Sequence, residues 1–489
     1  MQVVDKSSGR YKMLNTIGSS IEPKQVDALV AEGENWIRKK LGNLEIDFAN
    51  ERKVAQQLLD NIEQVSVIGT ELLLGKIFDE TGFNQIQDGL FRKLVIARLC
   101  FPASKLKTTD YLSRYQFEDI DVQNVYRYLD KLYNTQRETV QQISYKHTLQ
   151  VLGNKISIVF YDVTTLYFEI DDEDELRKTG FSKDGKHQHP QIILGLLVST
   201  DGYPLAYGIF EGNRFEGHTM LPVIDGFKTK YGLEKLVIVA DSGLLSTGNI
   251  QELQGKGYEF ILGARIKNEK QIIQDKIFGL RLKNGECQVI KKDERVNLII
   301  NYSLARAKKD RANRQRGLEK PQKQIHSGKL TKANINNRGY NKYLKLEGEI
   351  KITLDQEKYD QDSKRDGLKG YLTNTSLTKE EVIDNYKQLW KIEKAFRTAK
   401  TDLRIRPIYH RLRRRIEAHI CIAFVAYKIY KELERQLKEK KSTISPEKAI
   451  EIAKTIYFIK IVTPKTKEVL TKTLYLNEEQ KYLADLFDL

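Results

Sequence analysis

The sequence is poor in cysteine, and the few cysteines are widely separated. Cysteine occurs three times among 489 residues, at Cys100, Cys287 and Cys421, and no two of them form a CxxC pair. This spacing excludes a disulfide framework and a structural zinc site built from cysteine pairs. It is typical of proteins of the reducing cytoplasm. The sequence also lacks a glycine-rich phosphate loop and an internal repeat of about 20 to 50 residues.

Segments that direct a protein into or through a membrane are missing from the sequence pattern as well. The first residues, MQVVDKSSGRYKML, lack the apolar core of a signal peptide. The most apolar long stretch, residues 416–430 (IEAHICIAFVAYKIY), carries Glu417, His419 and Lys428. Three polar side chains in so short a stretch predict a buried helix rather than a membrane span. We therefore expect a cytoplasmic protein.

Positive charge is in excess. The chain has 82 Lys and Arg against 66 Asp and Glu, a formal net charge of +16, and a sequence pI of about 9.3. Such a balance favours a polyanionic partner, most often nucleic acid. Basic residues crowd residues 306–316 and 404–415. For the cluster at 306–316, a solvated helix face and a phosphate-binding one are equally good explanations.

Two aspartates interrupt or end apolar stretches, and a glutamate lies in a helical pattern further on. Residues 156–170 (ISIVFYDVTTLYFEI) predict a strand with Asp162 in its middle, and residues 235–241 (KLVIVAD) predict a strand that ends on Asp241. Glu393 lies in the helical segment EEVIDNYKQLWKIEKAFRTAK. A single acid is more often solvated than catalytic, but a carboxylate inside a strand is costly unless something satisfies it. We interpret the three acids as one catalytic metal site.

Phosphodiester chemistry explains why three carboxylates would be needed. Two Mg²⁺ ions about 3.5–4 Å apart activate the attacking oxygen and neutralise charge on the leaving oxygen. Mg²⁺ and Mn²⁺ take carboxylate oxygens as ligands. We expect Asp162 to bridge two Mg²⁺ (or Mn²⁺) ions, with Asp241 and Glu393 each holding one of them.

The helix around Glu393 carries a face of unusual composition. Positions seven apart drift only about 20° around a helix, so Tyr386, Glu393 and Lys400 share one face, with Trp390 and Arg397 close to it. A core face would be aliphatic, and a solvated face rarely holds both Tyr and Trp. We predict that Tyr386, Trp390, Arg397 and Lys400 contact DNA. The alternative is an ion-paired surface in which Glu393 bonds Arg397 four residues on.

The order of elements predicts an α/β fold. From residue 155 the pattern gives three successive strands and then helix, strand, helix and strand, an order β-β-β-α-β-α-β. This is the core of the ribonuclease-H-like fold, a mixed sheet with helices on both faces. We expect a β-rich insertion to interrupt the core, with helical regions at both ends of the chain.

The predicted regions have the following bounds. Residues 1–150 form a helical region, for which DNA-end recognition through a helix-turn-helix near Pro102 and a plain helical bundle are equal alternatives. Residues 151–267 and 366–435 form the two parts of the core, the second carrying the Glu393 helix. Residues 268–365 form the β-rich insertion with a basic helix, and residues 436–489 form the C-terminal helical region.

These residues together resemble the DDE transposases of the bacterial insertion-sequence-four superfamily, which carry a β-rich insertion before the catalytic glutamate. Their signature is Tyr, two residues, Arg, three residues, Glu, six residues, Lys, and Tyr386, Glu393 and Lys400 match its spacing. Asp162 in YDVTTLYFE and Asp241 in VIVADSGLLS are similar to the two aspartates of the family. The position of the signature arginine is Leu389, and Arg397 or Lys391 of the same helix is the alternative source of that cation.

The resemblance implies a function. It implies metal-dependent cleavage at both ends of a mobile element and joining of its 3′-OH ends to target DNA, by a homodimer bound to terminal inverted repeats and associated with the nucleoid. It further implies a hairpin intermediate, for which Trp390 is the candidate stacking residue.

Two other functions stay open. One is a nuclease or resolvase of the same fold that cuts without strand transfer, and the other is a non-catalytic DNA-binding protein derived from a transposase. Among weaker signals, His187 and His189 suit a polar loop better than a metal site, and His218 suits a cap as well as a DNA contact. Two further glutamates, Glu211 and Glu216, are the alternative candidates for the third acid.

Overall fold

The computed structural model of the chain describes residues 1–7, 9–41, 55–182, 184–244, 246–326, 339–347, 351–463 and 466–489. These residues form two compact units. The smaller unit comprises residues 1–65 and 458–474, and the larger unit comprises residues 66–457 and 475–489. The residues of the predicted functional site all belong to the larger unit.

The strands and helices have the following bounds. In chain order the strands are β1 Gln2–Asp5, β2 Lys12–Thr16, β3 Ile62–Val67, β4 Ile158–Tyr167, β5 Gln191–Ser199, β6 Pro204–Glu211, β7 Val237–Ala240, β8 Glu259–Ala264, β9 Cys287–Lys291, β10 Asn297–Tyr302, β11 Leu344–Glu347, β12 Lys351–Leu354, β13 Leu368–Thr373, β14 Tyr457–Val462 and β15 Val469–Leu474. The helices are α1 Pro23–Leu41, α2 Lys76–Glu80, α3 Gly89–Cys100, α4 Lys105–Gln116, α5 Val122–Lys131, α6 Arg137–Val151, α7 Met220–Tyr231, α8 Thr247–Gly255, α9 Gln271–Gly279, α10 Leu304–His326, α11 Gln356–Ser363, α12 Lys379–Lys387, α13 Trp390–Thr401, α14 Arg413–Glu439, α15 Pro446–Ala453 and α16 Glu478–Phe487.

The described part of the smaller unit contains short strands, the helix α1 and a helical segment at residues 55–60. Strands β1 and β2 pair antiparallel, and α1 follows them. Strands β15, β14 and β3 form a three-stranded sheet in that order. The region 1–150 was predicted to be helical, and for its strands β1, β2 and β3 that prediction was wrong. Residues from Ile62 form β3 instead, in the run IEQVSV, which alternates between more and less exposed positions and ends buried.

An eight-stranded mixed sheet forms the centre of the larger unit. Its strand order is β6-β5-β4-β7-β8-β13-β10-β9. Strands β4, β7 and β8 run parallel, whereas the other neighbours pair antiparallel. The order β4-β5-β6-α7-β7-α8-β8 confirms the predicted β-β-β-α-β-α-β core. With helices on both faces, this is the ribonuclease-H-like arrangement.

The stretch predicted as a β-rich insertion contains both helices and strands. Helices α9, α10 and α11 lie in it alongside β9 to β12. Strands β9 and β10 do not form a separate sheet, because β10 pairs with β13 and extends the central sheet. Among the described residues of this stretch, β11 and β12 form a separate two-stranded sheet. The insertion is therefore partly an extension of the core rather than an independent β subdomain.

Apolar side chains cover the two faces of the sheet with two cores. One face, which includes Phe160 of β4 and Val239 of β7, packs with α3, α5, α12, α13 and α14. The opposite face, which includes Val163 of β4 and Ile238 of β7, packs with α7. Because side chains alternate along a strand, this division assigns each strand residue to one face.

The long helix α14 is buried around most of its circumference, as predicted for residues 416–430. Its buried charges have partners within the protein. Glu417 accepts hydrogen bonds from Arg137 and Arg413, and Lys428 donates to Ser144 and Thr148. None of the helices in the described ranges has the length and apolar character that crossing a bilayer requires.

Candidate active site

Asp162 of β4 and Asp241, which directly follows the parallel strand β7, occupy neighbouring positions. Tyr161 of β4 is in register with Ala240 of β7, so the residues that follow each of them, Asp162 and Asp241, are adjacent as well. Parallel strands are about 4.8 Å apart. Asp162 lies two residues after Phe160, and Asp241 lies two residues after Val239. Because side chains two positions apart along a strand share a face, both aspartates lie on the face that packs with α12 and α13. The structure thus brings the two strand-borne acids together.

Tyr386 of α12 anchors Asp241. Its hydroxyl donates a 2.7 Å hydrogen bond to the Asp241 carboxylate. Partial burial raises the pKa of Asp241. This effect is outweighed by hydrogen bonds from the Tyr386 hydroxyl and from the backbone amides of Ser242 and Gly243, together with the charge of Lys369. The pKa of Asp241 is therefore lower than its ordinary value. The carboxylate is held ionised, as a metal ligand must be.

Gly263 of β8 makes room for this hydrogen bond. A Cβ atom at Gly263 would lie 2.3 Å from the Tyr386 hydroxyl oxygen and 3.0 Å from the amide nitrogen of Ser242. No side chain larger than hydrogen fits under the tyrosine without displacing it. The glycine therefore belongs to the site, although no sequence pattern marks it.

Lys369 of β13 is a site residue that the sequence analysis missed. Its ammonium group lies 4.4 Å from the centroid of the Tyr386 ring and feels the charges of Asp241 and Glu393. Burial and the nearby charge of Arg306 outweigh that attraction, so the pKa of Lys369 is lowered. The residue is the only charged one in the run LKGYLT. A single charged residue in a strand is a weak signal. The pairing of β13 with β8 is what places Lys369 near Asp241.

The segment around Glu393 is two helices rather than one. Helix α12 ends at Lys387 and α13 begins at Trp390. The turn tightens between them, since Leu389 N–H donates to Tyr386 and Lys391 N–H to Gln388, each three residues back. The predicted common face assumed one continuous helix, and that premise was wrong. A capping box formed by Thr378 and Glu381 begins α12.

Glu393 nevertheless lies near the aspartates. Helix α13 packs on β4, which carries Asp162, whereas α12 packs on β7, β8 and β13. The charge of Glu393 acts on both Lys369 and Tyr386. Glu393 is exposed, so its carboxylate is accessible to a ligand at this edge. The alternative ion pair with Arg397 is not among the contacts of the described chain.

The other residues predicted to contact DNA have different environments. The Trp390 side chain is 54% exposed, and Arg397 is exposed. Lys400 is largely covered, with its ammonium 3.2 Å from Asp184, and Arg406 lies 3.0 Å from the same carboxylate. Leu389, at the position of the signature arginine, is buried in the core. Lys391 donates instead to Gln388 and Thr200, and the cation nearest the Tyr386 ring is Lys369.

The three histidines among the weaker candidates have partners of their own. His187 accepts a hydrogen bond from Ser182 N–H, His189 stands beside the Tyr167 ring and His218 beside Phe215. Several arginines of the two basic clusters form ion pairs within the protein. Arg314 is buried and bonded to Asp366, and Arg414 and Arg415 bond Asp130.

The donor set suits a hard divalent cation. Within the described parts of the chain, no three Asp, Glu, His or Cys side chains already lie close enough to enclose a metal ion. Asp162 and Asp241 are neighbours in the strand register, and the helix α13, which carries the exposed Glu393, packs against β4. Oxygen ligands of this kind are those that Mg²⁺ and Mn²⁺ prefer. Asp162, Asp241 and Glu393 are thus the residues that would hold such ions.

We expect the Tyr386–Asp241 hydrogen bond to matter for metal affinity. Tyr386→Phe should weaken Mn²⁺ binding several-fold and lower the free energy of unfolding by about 1 kcal/mol, the usual loss for one hydrogen bond. Gly263→Ala should weaken Mn²⁺ binding at least as much by displacing the tyrosine. Manganese titration followed by electron paramagnetic resonance measures the first effect and urea unfolding the second.

The neighbouring tyrosine provides a matched control. Tyr371 packs against Tyr386 with ring centroids 4.9 Å apart, and its hydroxyl does not bond Asp241. Tyr371→Phe should leave Mn²⁺ affinity unchanged. Equal losses in the Tyr371 and Tyr386 variants would contradict a specific role for the Asp241 hydrogen bond.

The mixed sheet, with adjacent aspartates on its parallel strands, defines a protein of the ribonuclease-H-like class. Residues 153–429, more than half of the chain, match the model of the Transposase DDE domain family, and the chain belongs to that family. This confirms the transposase resemblance at the level of the family. Membership implies an activity in DNA transposition.

Solved structures of transposases are similar to the chain at low identity. A piggyBac transposase synaptic complex with hairpin DNA matches with 9% identity and a TM-score of 0.40, covering 79% of this chain and 78% of that one. A Mos1 transposase paired-end complex with the left transposon end matches with 10% identity and a TM-score of 0.16, covering 32% of this chain and 53% of that one. No curated protein matches the sequence significantly.

Proposed function

We propose that this protein is a cut-and-paste transposase that cleaves DNA at the ends of a mobile element and joins the 3′-OH ends to target DNA. The observation that carries the proposal is the adjacency of Asp162 of β4 and Asp241, which directly follows β7, on the sheet face against which α13 packs. Domains of this family generally use divalent metal ions. Two bound Mg²⁺ or Mn²⁺ ions would activate the attacking oxygen and stabilise the leaving one.

Other residues near the three acids have separate proposed roles in orienting Asp241 and in binding DNA. Tyr386 orients Asp241 and keeps it ionised. Lys369, beside Asp241 and Glu393, would contact a phosphate in the place of the signature arginine. Lys400 would break its ion pair with Asp184 and bind another phosphate of the DNA instead. Trp390, exposed at the start of α13, and Arg397 would contact the DNA end, and stacking on Trp390 would favour a hairpin intermediate.

Partner and assembly follow from the reaction. The net charge of +16 supports binding to double-stranded DNA at terminal inverted repeats and at the target. Two element ends must be cut and joined in concert, which a homodimer with one active site for each end would accomplish. Binding should weaken steeply with salt, with a slope of log K against log[salt] of roughly −0.9 for each phosphate that the protein neutralises.

A joining assay tests this proposal against its two alternatives. The protein is incubated with labelled duplexes that carry the terminal repeats, supercoiled target plasmid and Mg²⁺ or Mn²⁺. A transposase yields element ends joined to the plasmid through their 3′ strands, and a denaturing gel reveals any hairpin. Cleavage without joined products would instead indicate a nuclease or resolvase. Binding without cleavage would indicate a non-catalytic DNA-binding protein.

A further inference from the structure

A positively charged cavity lies away from the three acids. It measures about 870 Å³ and is enclosed by the end of α3, the start of α4 and the segment between α13 and α14. Its walls contain two histidines, His410 and His419, and no aspartate or glutamate. The basic residues that line it are Arg98, Lys105, Lys107, Arg404, Arg406 and Lys454.

Two of these basic residues are deeply buried without a carboxylate, and burial holds the pKa of Lys105 well below its ordinary value. Arg98 and Lys105 are each 4% exposed. Arg98 reaches only the carbonyl oxygen of Leu403, at 3.4 Å. Lys105 has no hydrogen-bond acceptor or ion-pair partner among the residues that the structure describes. Burying an unpaired charge is costly. A ligand of negative charge would offset this cost.

Other buried cations of the protein show the contrast. The Lys428 ammonium donates to the Ser144 carbonyl and the Thr148 hydroxyl, and the Arg314 guanidinium forms two bonds with Asp366. At the cavity, by contrast, Arg98 and Lys105 lie near His410 and His419, and no carboxylate is among the lining residues. Burial, together with the charges of Lys105 and Arg98, lowers the pKa of His410 to about 3.

The backbone adds further positive potential to the same place. Helix α4 begins at Lys105 and runs for 12 residues, with Ser104 as its N-cap, so its positive end faces the cavity. Arg404, on the rim, has a backbone φ of 43°. A non-glycine residue in this left-handed region stores strain. Strained residues of this kind cluster at binding sites.

We propose that this cavity binds a backbone phosphate of the transposon-end DNA, with Lys105 and Arg98 as its ligands. The proposal rests on the transposase function proposed above. Two observations favour a DNA strand over a free phosphate ion. The volume far exceeds that of one ion, and the basic wall continues toward the active site, because Arg406 shares Asp184 with Lys400 and lies 5.6 Å from the ring of Tyr167.

The position of Tyr167 gives the distance from the cleavage site. Tyr167 follows Asp162 on β4 by five residues, or roughly 17 Å at 3.3 Å per residue. One DNA strand carries a phosphate about every 3.4 Å of helix axis. The cavity would therefore hold a phosphate about five nucleotides from the cleaved bond, and would set the register of the end in the active site.

Neutral phosphates can test the contact directly. Duplexes of the terminal repeat carry a single methylphosphonate at each position in turn, and the affinity of the full-length protein for each is measured. At one position near the fifth nucleotide, wild-type affinity should fall about tenfold, the loss for one charge-assisted hydrogen bond. Lys105→Met should be insensitive at that position and sensitive elsewhere. Lys131→Met, an exposed lysine outside the cavity that pairs with Asp88, should keep the wild-type pattern.

Thermal unfolding supplies a readout that a structural role would not give. Since Lys105 lacks a partner, Lys105→Met should unfold at the same or a higher temperature than wild type without DNA. If Lys105→Met does not fold, the lysine is structural and the proposal is overturned, unless Arg98→Gln folds and shows the predicted insensitivity to the same methylphosphonate.

The remaining outcomes separate this proposal from the proposed function. Normal cleavage and joining by Lys105→Met with the wild-type methylphosphonate pattern would overturn the cavity assignment alone. Stabilisation of wild type but not of Lys105→Met by millimolar inorganic phosphate, without any change in that pattern, would assign the cavity to a free ion and overturn the DNA contact. Absence of both cleavage and specific end binding in wild type would refute the transposase function itself.

Discussion

Glu393→Gln is expected to abolish DNA cleavage while leaving binding of the element end within about twofold of wild type. The amide keeps the size and shape of the side chain but removes the charge that would hold a divalent cation. Loss of one such ligand removes several kcal/mol of transition-state stabilisation, so the rate should fall on the order of 10³-fold or more. A gel shift measures binding and a denaturing gel measures nicking on the same labelled duplex.

A control for the loss of one negative charge lies on the preceding helix. The Asp384 side chain of α12 is 69% exposed and pairs with Lys387. Asp384→Asn should cleave at the wild-type rate. If Glu393→Gln nicks DNA as fast as Asp384→Asn does, Glu393 is not the third acid.

The strand register limits what could replace Glu393 in that case. Glu211 is paired with Ile192, which is level with Leu166 of β4 and not with Asp162. It therefore lies roughly 13 Å further along the sheet and two strands across. The Glu211 carboxylate also accepts from Arg214. Glu216, in the turn before α7, would be the acid to test next.

Asp162→Asn and Asp241→Asn should each eliminate cleavage, and the double variant should be no worse than either single one. The reason is that the two carboxylates lie side by side and are proposed to share one ion. Residues that act as a unit show strongly non-additive losses. We expect a fall on the order of 10³-fold in each of the three variants. Single-turnover cleavage with saturating protein measures the rates free of binding effects.

Metal dependence gives this prediction a second readout. Chelation should stop cleavage by the wild-type protein, and Mg²⁺ or Mn²⁺ should restore it. Asp201, in the turn between β5 and β6, is 58% exposed, and Asp201→Asn should respond to metal as wild type does. Additive losses in the double aspartate variant would mean that the two acids serve separate steps.

The central sheet could be predicted from sequence because its strands are marked locally. Each is a β-branched or aromatic run bounded by polar residues, and the two aspartates interrupt such runs at places that the register then makes adjacent. Lys369 and Gly263 could not be found this way. Their roles depend on the pairing of β13 with β8, which joins residues more than a hundred positions apart.

The helix around Glu393 shows a different limit. Gln388 and Leu389 both have right-handed helical backbone angles, and neither is a proline or glycine, so no residue marks the break. Tertiary packing decides it, because Leu389 and Ile392 enter the core against the sheet. The extension of the sheet by β9 and β10 could not be predicted from sequence for the same reason, because it depends on the pairing of β10 with the distant strand β13.

The pairing of β8 with β13 also has a consequence for folding. Contacts between residues far apart in sequence require a costly loop closure and form slowly. Both aspartates lie on strands made early in synthesis, but Lys369, Tyr386 and Glu393 join them only after the whole intervening segment has emerged and β13 has docked. A chain that is still being synthesised, or one cut short before β13, would carry the two aspartates without the rest of the site. If these residues form the proposed site, the site can be complete only after synthesis has passed α13.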